Sequence, residues 1–205
     1  MSRIKLFEYF NVDEIQTLDQ LISKLKEYKI PFESWGTGYS KTTEHLFDEL
    51  KNDECSIIDE QGYLIRYIEF VGVRVFYTDR DGTKYYLKED RQVFKDGRER
   101  RRTMQSSVSE KMKFGEDPML SAFRGVEEEL GIKLKDGQLL KHRDLQYDGG
   151  SQSYPGLKSK YKGHVFNCNL RREQYRPQGY VEVQKDKSTY FVWEKIWKYL
   201  AESIL

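Results

Sequence analysis

Hydrophobic positions change their spacing along this 205-residue chain, and each change marks a different kind of element. From Val12 to Tyr28 the apolar residues Ile15, Leu18, Leu21, Ile22 and Leu25 recur at three- and four-residue steps, with acids early and lysines late. That spacing predicts an amphipathic helix. A second helix is predicted from Thr42 to Leu50. Between Tyr63 and Tyr77 (YLIRYIEFVGVRVFY) the residues turn β-branched and aromatic. Val71, Val73, Val75 and Tyr77 alternate with Gly72, Arg74 and Phe76, which predicts one long strand or a pair. Asp79-Arg80-Asp81-Gly82 reads as a turn, Lys84 to Phe94 as the returning strand, and Asp96-Gly97 as another hairpin turn. Further on come a helix starting at Asp117-Pro118, a loop from Gly149 to Gly156 and a strand from Lys160 to Leu170. A loop with Pro177 and Gly179, a strand from Thr189 to Trp193 and a closing helix from Glu194 complete the pattern. Strands and helices mix without regular βαβ alternation, so an α+β sandwich is expected rather than a doubly wound sheet.

Length and composition narrow this picture. The chain suits one sizeable domain with an appendage. Charged residues make up 34% and hydrophobic ones 38%, yet Tyr 15, Phe 11 and Trp 3 supply large apolar surfaces for a core. A net charge of +1 provides no global field towards nucleic acid or an acidic membrane, so any such partner must use a local patch. Cys55 and Cys168 stand far apart and in no metal-ligand spacing, which predicts neither a disulfide framework nor a zinc site. The opening residues MSRIKLFEYFNVDE lack the apolar core of a signal peptide, and no apolar run is long enough to span a membrane. A cytoplasmic protein is expected.

Two tempting motifs fail on spacing. In PFESWGTGYSKTT a phosphate-binding loop would need glycines where Ser40 and Trp35 stand, and no strand leads into it. A turn that packs Trp35 into the core is the expectation. His45, His142 and His164 do not cluster in sequence and receive no catalytic part.

The helix after Asp117 carries the chemistry. Asp caps its free amides, Pro118 suits its first turn, and Gly131 ends it. At 100° per residue Met119, Phe123, Val126 and Leu130 share an apolar face. Ser121, Gly125, Glu128 and Glu129 lie opposite, with Glu127 between the faces and in solvent. Adjacent carboxylates repel unless a cation lies between them, and their hard oxygens suit Mg²⁺ or Mn²⁺. A solvated acidic face is the plainer reading of such a run taken alone.

The wider segment GEDPMLSAFRGVEEELGI resembles the Nudix box: Gly, five residues, Glu, seven residues, then Arg-Glu-aliphatic-x-Glu-Glu-x-Gly-aliphatic. Glu116, Arg124, Val126, Glu128, Glu129, Gly131 and Ile132 fall in register. Glu110 stands where the pattern has its first Gly, and Gly125 where it has the Glu after Arg. The resemblance runs from about Ile57 to the C-terminus. It implies a Nudix-like α/β/α sandwich with a mixed sheet over residues 54–205, preceded by an N-terminal helical extension over 1–53.

The resemblance further implies a divalent cation, Mg²⁺ or Mn²⁺, held by Glu128 and Glu129 against a diphosphate that water attacks. Glu116 and Arg124 resemble the ion pair that fixes the loop on the helix, with a free Arg124 gripping phosphate as the competing role. Gly125 removes a carboxylate that serves such proteins as ligand or base, and Glu110 is the residue placed to supply it from the other side. Asp144, Asp148 and Glu182 are further candidates for the base. Lys95 to Arg102 (KDGRERRR) is locally basic, so Arg100 and Arg102, with Lys111, are expected near the diphosphate or a nucleic-acid tail. Tyr147, Tyr154 and Tyr161 are candidates for base stacking, against simple packing roles. Two functions follow: hydrolysis of a nucleoside diphosphate linked to a sugar, a second nucleoside or a capped RNA end, or a catalytically silent module that binds a nucleotide, RNA or protein. The N-terminal helices have three roles open to them: a cap on the sheet, a dimer surface or a gate.

Overall fold

Capping chemistry sets where the first helix begins in the computed structural model, which describes residues 15–196. Helix α1 spans Leu18–Glu27 because Thr17 Oγ1 accepts from the Gln20 N–H at 3.2 Å, and Gln20 Oε1 accepts from the Thr17 N–H at 3.0 Å. The helical periodicity therefore extends beyond the helix itself, and Val12 to Glu14 lie outside the described residues. Helix α2 (Thr43–Lys51) starts the same way, with Thr42 Oγ1 accepting from His45 N–H.

The described residues divide into two units, one of 15–70, 111–116 and 145–163, the other of 71–110, 117–144 and 164–196. The first holds α1, α2, strand β1 (Ser56–Glu60) and the opening half of β2 (Tyr63–Thr78), paired antiparallel from Ser56↔Tyr67 to Glu60↔Tyr63. Leu21, Leu25, Leu46, Leu50, Trp35 and Tyr154 belong to its core. Trp35 is buried as expected: its ring lies 5.0 Å from that of Tyr154 and its Nε1 donates to Pro155 O at 2.9 Å.

The second unit holds the rest of β2, β3 (Lys84–Phe94), β4 (Glu99–Arg100), α3 (Pro118–Leu130), β8 (Tyr180–Val183) and β9 (Lys187–Ile196), while β5 (Val108–Lys111), β6 (Leu139–Gly150) and β7 (Lys158–Asn169) each have residues in both units. The strand order is β6-β7-β2-β3-β9-β8, with β1 and β5 against β2 and β4 against β3. The α+β class is therefore as expected: three α-helices and a large sheet among the described residues. Both predicted hairpins form. β2 returns as β3 with Thr78 opposite Lys84, and Phe94 N–H donates to Arg98 O at 2.9 Å across the turn at Asp96-Gly97.

The expected long strand forms as β2, and every residue from Val71 to Tyr77 is buried, because this strand sits between β7 and β3. Two expectations need correction. The closing helix does not begin at Glu194. Residues Glu194–Ile196 continue β9, with Glu194 opposite Tyr86 and Ile196 opposite Lys84, since TYFVWEKI alternates and finds β3 along its whole length. The remainder of that expected helix lies outside the described residues. Finally, β6 and β8 form where loops or no element were expected. Both are edge strands, held by backbone pairing and largely exposed, so they need no apolar period.

Candidate functional site

Asp117 starts α3 by accepting from Met119 N–H at 2.8 Å and Leu120 N–H at 3.0 Å, and Gly131 ends it in the left-handed conformation at φ 66°. Which face the helix buries differs from the wheel drawn on sequence. Ser121, Ala122, Gly125, Val126 and Leu130 are buried, while Met119 and Phe123 are only half-buried. The reason is β5. A Cβ built on Gly125 would lie 2.9 Å from Glu110 Cβ and 3.3 Å from Val108 Cγ1, so strand and helix touch where only glycine fits. The two departures from the box, Glu110 and Gly125, thus face each other.

This packing sorts the acids. Arg124 Nη1 donates to Glu110 Oε1 at 2.7 Å, lies 3.7 Å from Glu128 Oε2, and Nη2 donates to Ser121 Oγ at 3.2 Å. Glu128 is exposed, at 57% of its side chain. Glu129 turns inward and accepts a single backbone hydrogen bond, from Ser109 N–H at 3.2 Å. The expected symmetry between Glu128 and Glu129 is therefore broken. Burial, reinforced by repulsion from Glu182, Glu110 and Glu89, pushes the Glu129 carboxyl up to about 9.

These groups line a cavity of about 210 Å³ that also takes in Arg102, Ser109, Gln184 and Lys187. Glu89 is buried beneath it, and Arg102 grips it with two nitrogens, Nε at 2.9 Å from Oε1 and Nη2 on Oε2. Burial, then the Arg102 charge, holds Lys187 below the usual ammonium range. Of the three candidate bases, Glu182 alone stands in this cavity, with Gln184 Nε2 donating to it at 2.6 Å. Asp144 takes His164 Nδ1 at 2.6 Å and Lys141 Nζ at 2.7 Å, and Asp148 belongs to the first unit.

The other anticipated residues take the following places. Arg102 reaches the cavity. Arg100 sits on β4 opposite Gln92. Lys111 belongs to the first unit, its ammonium between Glu49 Oε1 at 2.6 Å and Glu54 Oε2 at 2.8 Å. Glu116 is also in that unit and accepts from Lys113 N–H at 2.9 Å. Tyr154 is fully buried core, whereas Tyr147 and Tyr161 stack at 4.8 Å and 15° with Tyr147 half exposed. Glu89 was missed. Its signal is its place two residues after Leu87, an acid on the inward face of β3, where the bulge between Glu89 and Arg91 lets Asp90 face the neighbouring cleft as well.

No protein-family model matches the chain, and no curated protein matches it. Among solved structures it is similar to an Ap4A hydrolase binary complex from C. elegans, at 15% identity and a TM-score of 0.38 over 67% of this chain and 85% of that one. It is also similar to the E. coli dihydroneopterin triphosphate pyrophosphohydrolase, at 17% identity and TM-score 0.37 over 62% and 79%. A MutT/nudix family protein from Enterococcus faecalis matches at 9% identity and TM-score 0.42 over 85% and 55%. Val108–Lys111 form β5 and Pro118–Leu130 form the capped helix α3, with the segment that resembles the Nudix box in sequence running through them. Among the described residues no helix is long and apolar enough to cross a membrane.

Proposed function

We propose that this chain is a Nudix-type hydrolase that cleaves a nucleoside diphosphate linked to another group, using Mg²⁺ or Mn²⁺. The observation that carries the reading is Glu129: a half-buried carboxyl lining a cavity with four further glutamates, pushed up to about 9 where a cation would bring it down. The donors fit a divalent cation in chemistry, being carboxylate oxygens with backbone support. Among the described residues no three acid, histidine or cysteine side chains already converge on one point, so Glu129, Glu110 and Glu182 are the residues that would hold it by drawing together. Bound there, the cation supplies a Lewis acid for water and for the charge of the diphosphate.

The chain's own residues do the remainder. Glu110 contributes from β5 the carboxylate absent at Gly125, and Arg124 keeps it aimed. Glu129 holds a proton at neutral pH when no cation is near. Arg102, fixed by Glu89, offers a guanidinium at the rim for phosphate oxygens. A silent binding module for a nucleotide or an RNA end is the second reading. It is favoured by Arg124, a resident cation already among Glu110 and Glu128. The test is a panel of nucleoside diphosphate derivatives incubated with Mg²⁺ or Mn²⁺, with products read by mass. A released nucleotide is expected, with at least about a 100-fold loss of rate in Glu129→Gln. Nucleotide-induced thermal stabilisation with no product from any substrate would establish the silent module instead.

A further inference from the structure

Beside the acidic cavity, and sharing Glu89, Arg102 and Met104 with it, lies a larger cleft of about 700 Å³ in the same unit. Its charges do not balance. Three acids line it and each is taken by a lysine or arginine: Asp90 by Arg101 at 2.6 Å, Glu89 by Arg102, and Glu194 by Lys88 at 2.8 Å. Arg74, His142 and Arg143 are left over.

Arg74 is the unusual one. It is 6% exposed, on the central strand β2, and among the described residues it has neither an ion pair nor a hydrogen bond. Its guanidinium rests 5.3 Å from the centre of the Phe76 ring. Its stem is buried and its guanidinium opens only onto the cleft, where it is partly desolvated; such a cation without a counter-ion is disfavoured, and a cation–π contact offsets only part of that cost. Among the described residues Arg143 reaches only Gln105 Oε1, at the long distance of 3.5 Å. Burial, then the Arg143 charge, lowers Arg74. Burial, then the Arg74 and Arg143 charges, lowers His142. An anion arriving between them would relieve all three.

We infer that Arg74, His142 and Arg143 form a phosphate-binding subsite that holds an anionic group of the substrate beyond the diphosphate at the carboxylates. This rests on the proposed function for the ligand's class, a nucleotide carrying a further phosphate, while the subsite itself needs no hydrolysis. A triphosphate or longer chain is the substrate chemistry that fills both cavities. The planar donors of Arg143 and Arg74 suit phosphate oxygens, and the two strands that supply them, β6 and β2, present them to one cleft.

The test is calorimetric titration of the full chain with inorganic tripolyphosphate in the presence of a chelator, so that no metal contributes. Binding is expected, weakened about tenfold by Arg143→Gln and by His142→Gln, both at solvent-reachable positions that leave the fold intact. Arg74→Met should abolish it; should that variant fail to fold, Arg143→Gln decides. Lys133→Gln removes the same charge from a side chain 86% exposed at the far end of α3 and should leave binding within twofold. Absence of binding by the unaltered chain, or equal losses in Lys133→Gln and Arg143→Gln, would overturn the subsite. Glu129→Gln separates the two ideas. Lost hydrolysis with retained tripolyphosphate binding supports both, tripolyphosphate binding without hydrolysis by any variant sinks the enzyme alone, and hydrolysis without tripolyphosphate binding sinks the subsite alone.

Discussion

Glu129 differs from Glu128 by one position and by almost everything that matters to its chemistry. One carboxylate stands mostly in water beside Arg124, while the other is turned onto β5 with only the Ser109 amide to hold it. The consequence is a pH dependence with a definite sign. The folded Glu129 carboxyl is raised from 4.5 to about 9, so the native state keeps a proton that the unfolded chain has lost. Stability from this group is fully present below about pH 4.5 and is lost as pH rises through about 9. Glu129→Gln keeps the shape without the titration. Thermal denaturation at pH 5, 7 and 9 should therefore show the two proteins close at pH 5 and the variant progressively the more stable above it. A gap that stays constant with pH would refute the protonated carboxyl. Millimolar Mn²⁺ should raise the melting temperature of the unaltered chain at pH 8 and leave Glu129→Gln unmoved.

At the scale of elements, the contact of β5 with α3 decides what the departures from the box mean. Glycine in a helix interior costs about 1 kcal/mol relative to alanine, so local propensity argues against Gly125. Overpacking a close contact costs about 1–3 kcal/mol, and a Cβ here would meet another Cβ at 2.9 Å, an atom with no freedom to swing aside. The second effect wins. Gly125→Ala should lower stability by about 1 kcal/mol instead of raising it, as urea denaturation would show. Because the obstacle is Glu110 Cβ, Glu110→Gly should make the alanine neutral or favourable and Glu110→Ala should not. The same contact shows why Gly125→Glu alone does not fit: the position opposite must open with it. Gly179 plays a comparable part before β8. At φ 82° and with Phe191 O 1.9 Å from where a Cβ would stand, it lets β8 lie against β9 and so brings Glu182 to the cavity.

Across the whole molecule, charges far apart in sequence are gathered into small buried groups. In the first unit Glu49, 5% exposed, receives Arg66 Nη2 at 2.5 Å, Lys111 Nζ at 2.6 Å and Lys41 Nζ at 2.8 Å. Burial alone would raise its carboxyl, but Arg66, Lys111 and Lys41 together outweigh that and hold it at about 2. A lowered carboxylate stabilises above its unfolded value, so this contribution, on the order of 3 kcal/mol, is present above about pH 4.5 and fades as pH falls towards 2. Glu49→Gln strands Arg66 and should cost about 3–5 kcal/mol at pH 7, a deficit that narrows below pH 4 in urea titrations. None of these partners is near Glu49 by spacing alone. The capped helix from Pro118 to Leu130, the β2–β3 hairpin and the burial of Trp35 were legible in the sequence, because caps, turns and period are local physics. The register pointed to Glu128 and Glu129 together, with Glu110 and Gly125 as its two departures. The exposed edges β6 and β8 were not legible, since backbone pairing leaves no apolar signature. The sequence by itself determined the local elements and placed the run Glu127 to Glu129 on a capped helix. Only the tertiary structure decided that Glu129 faces in and Glu128 out, that Glu110 meets Gly125, and that Arg74 has no ion pair among the described residues. Each of those depends on which strand lies against which face, and that is a long-range choice.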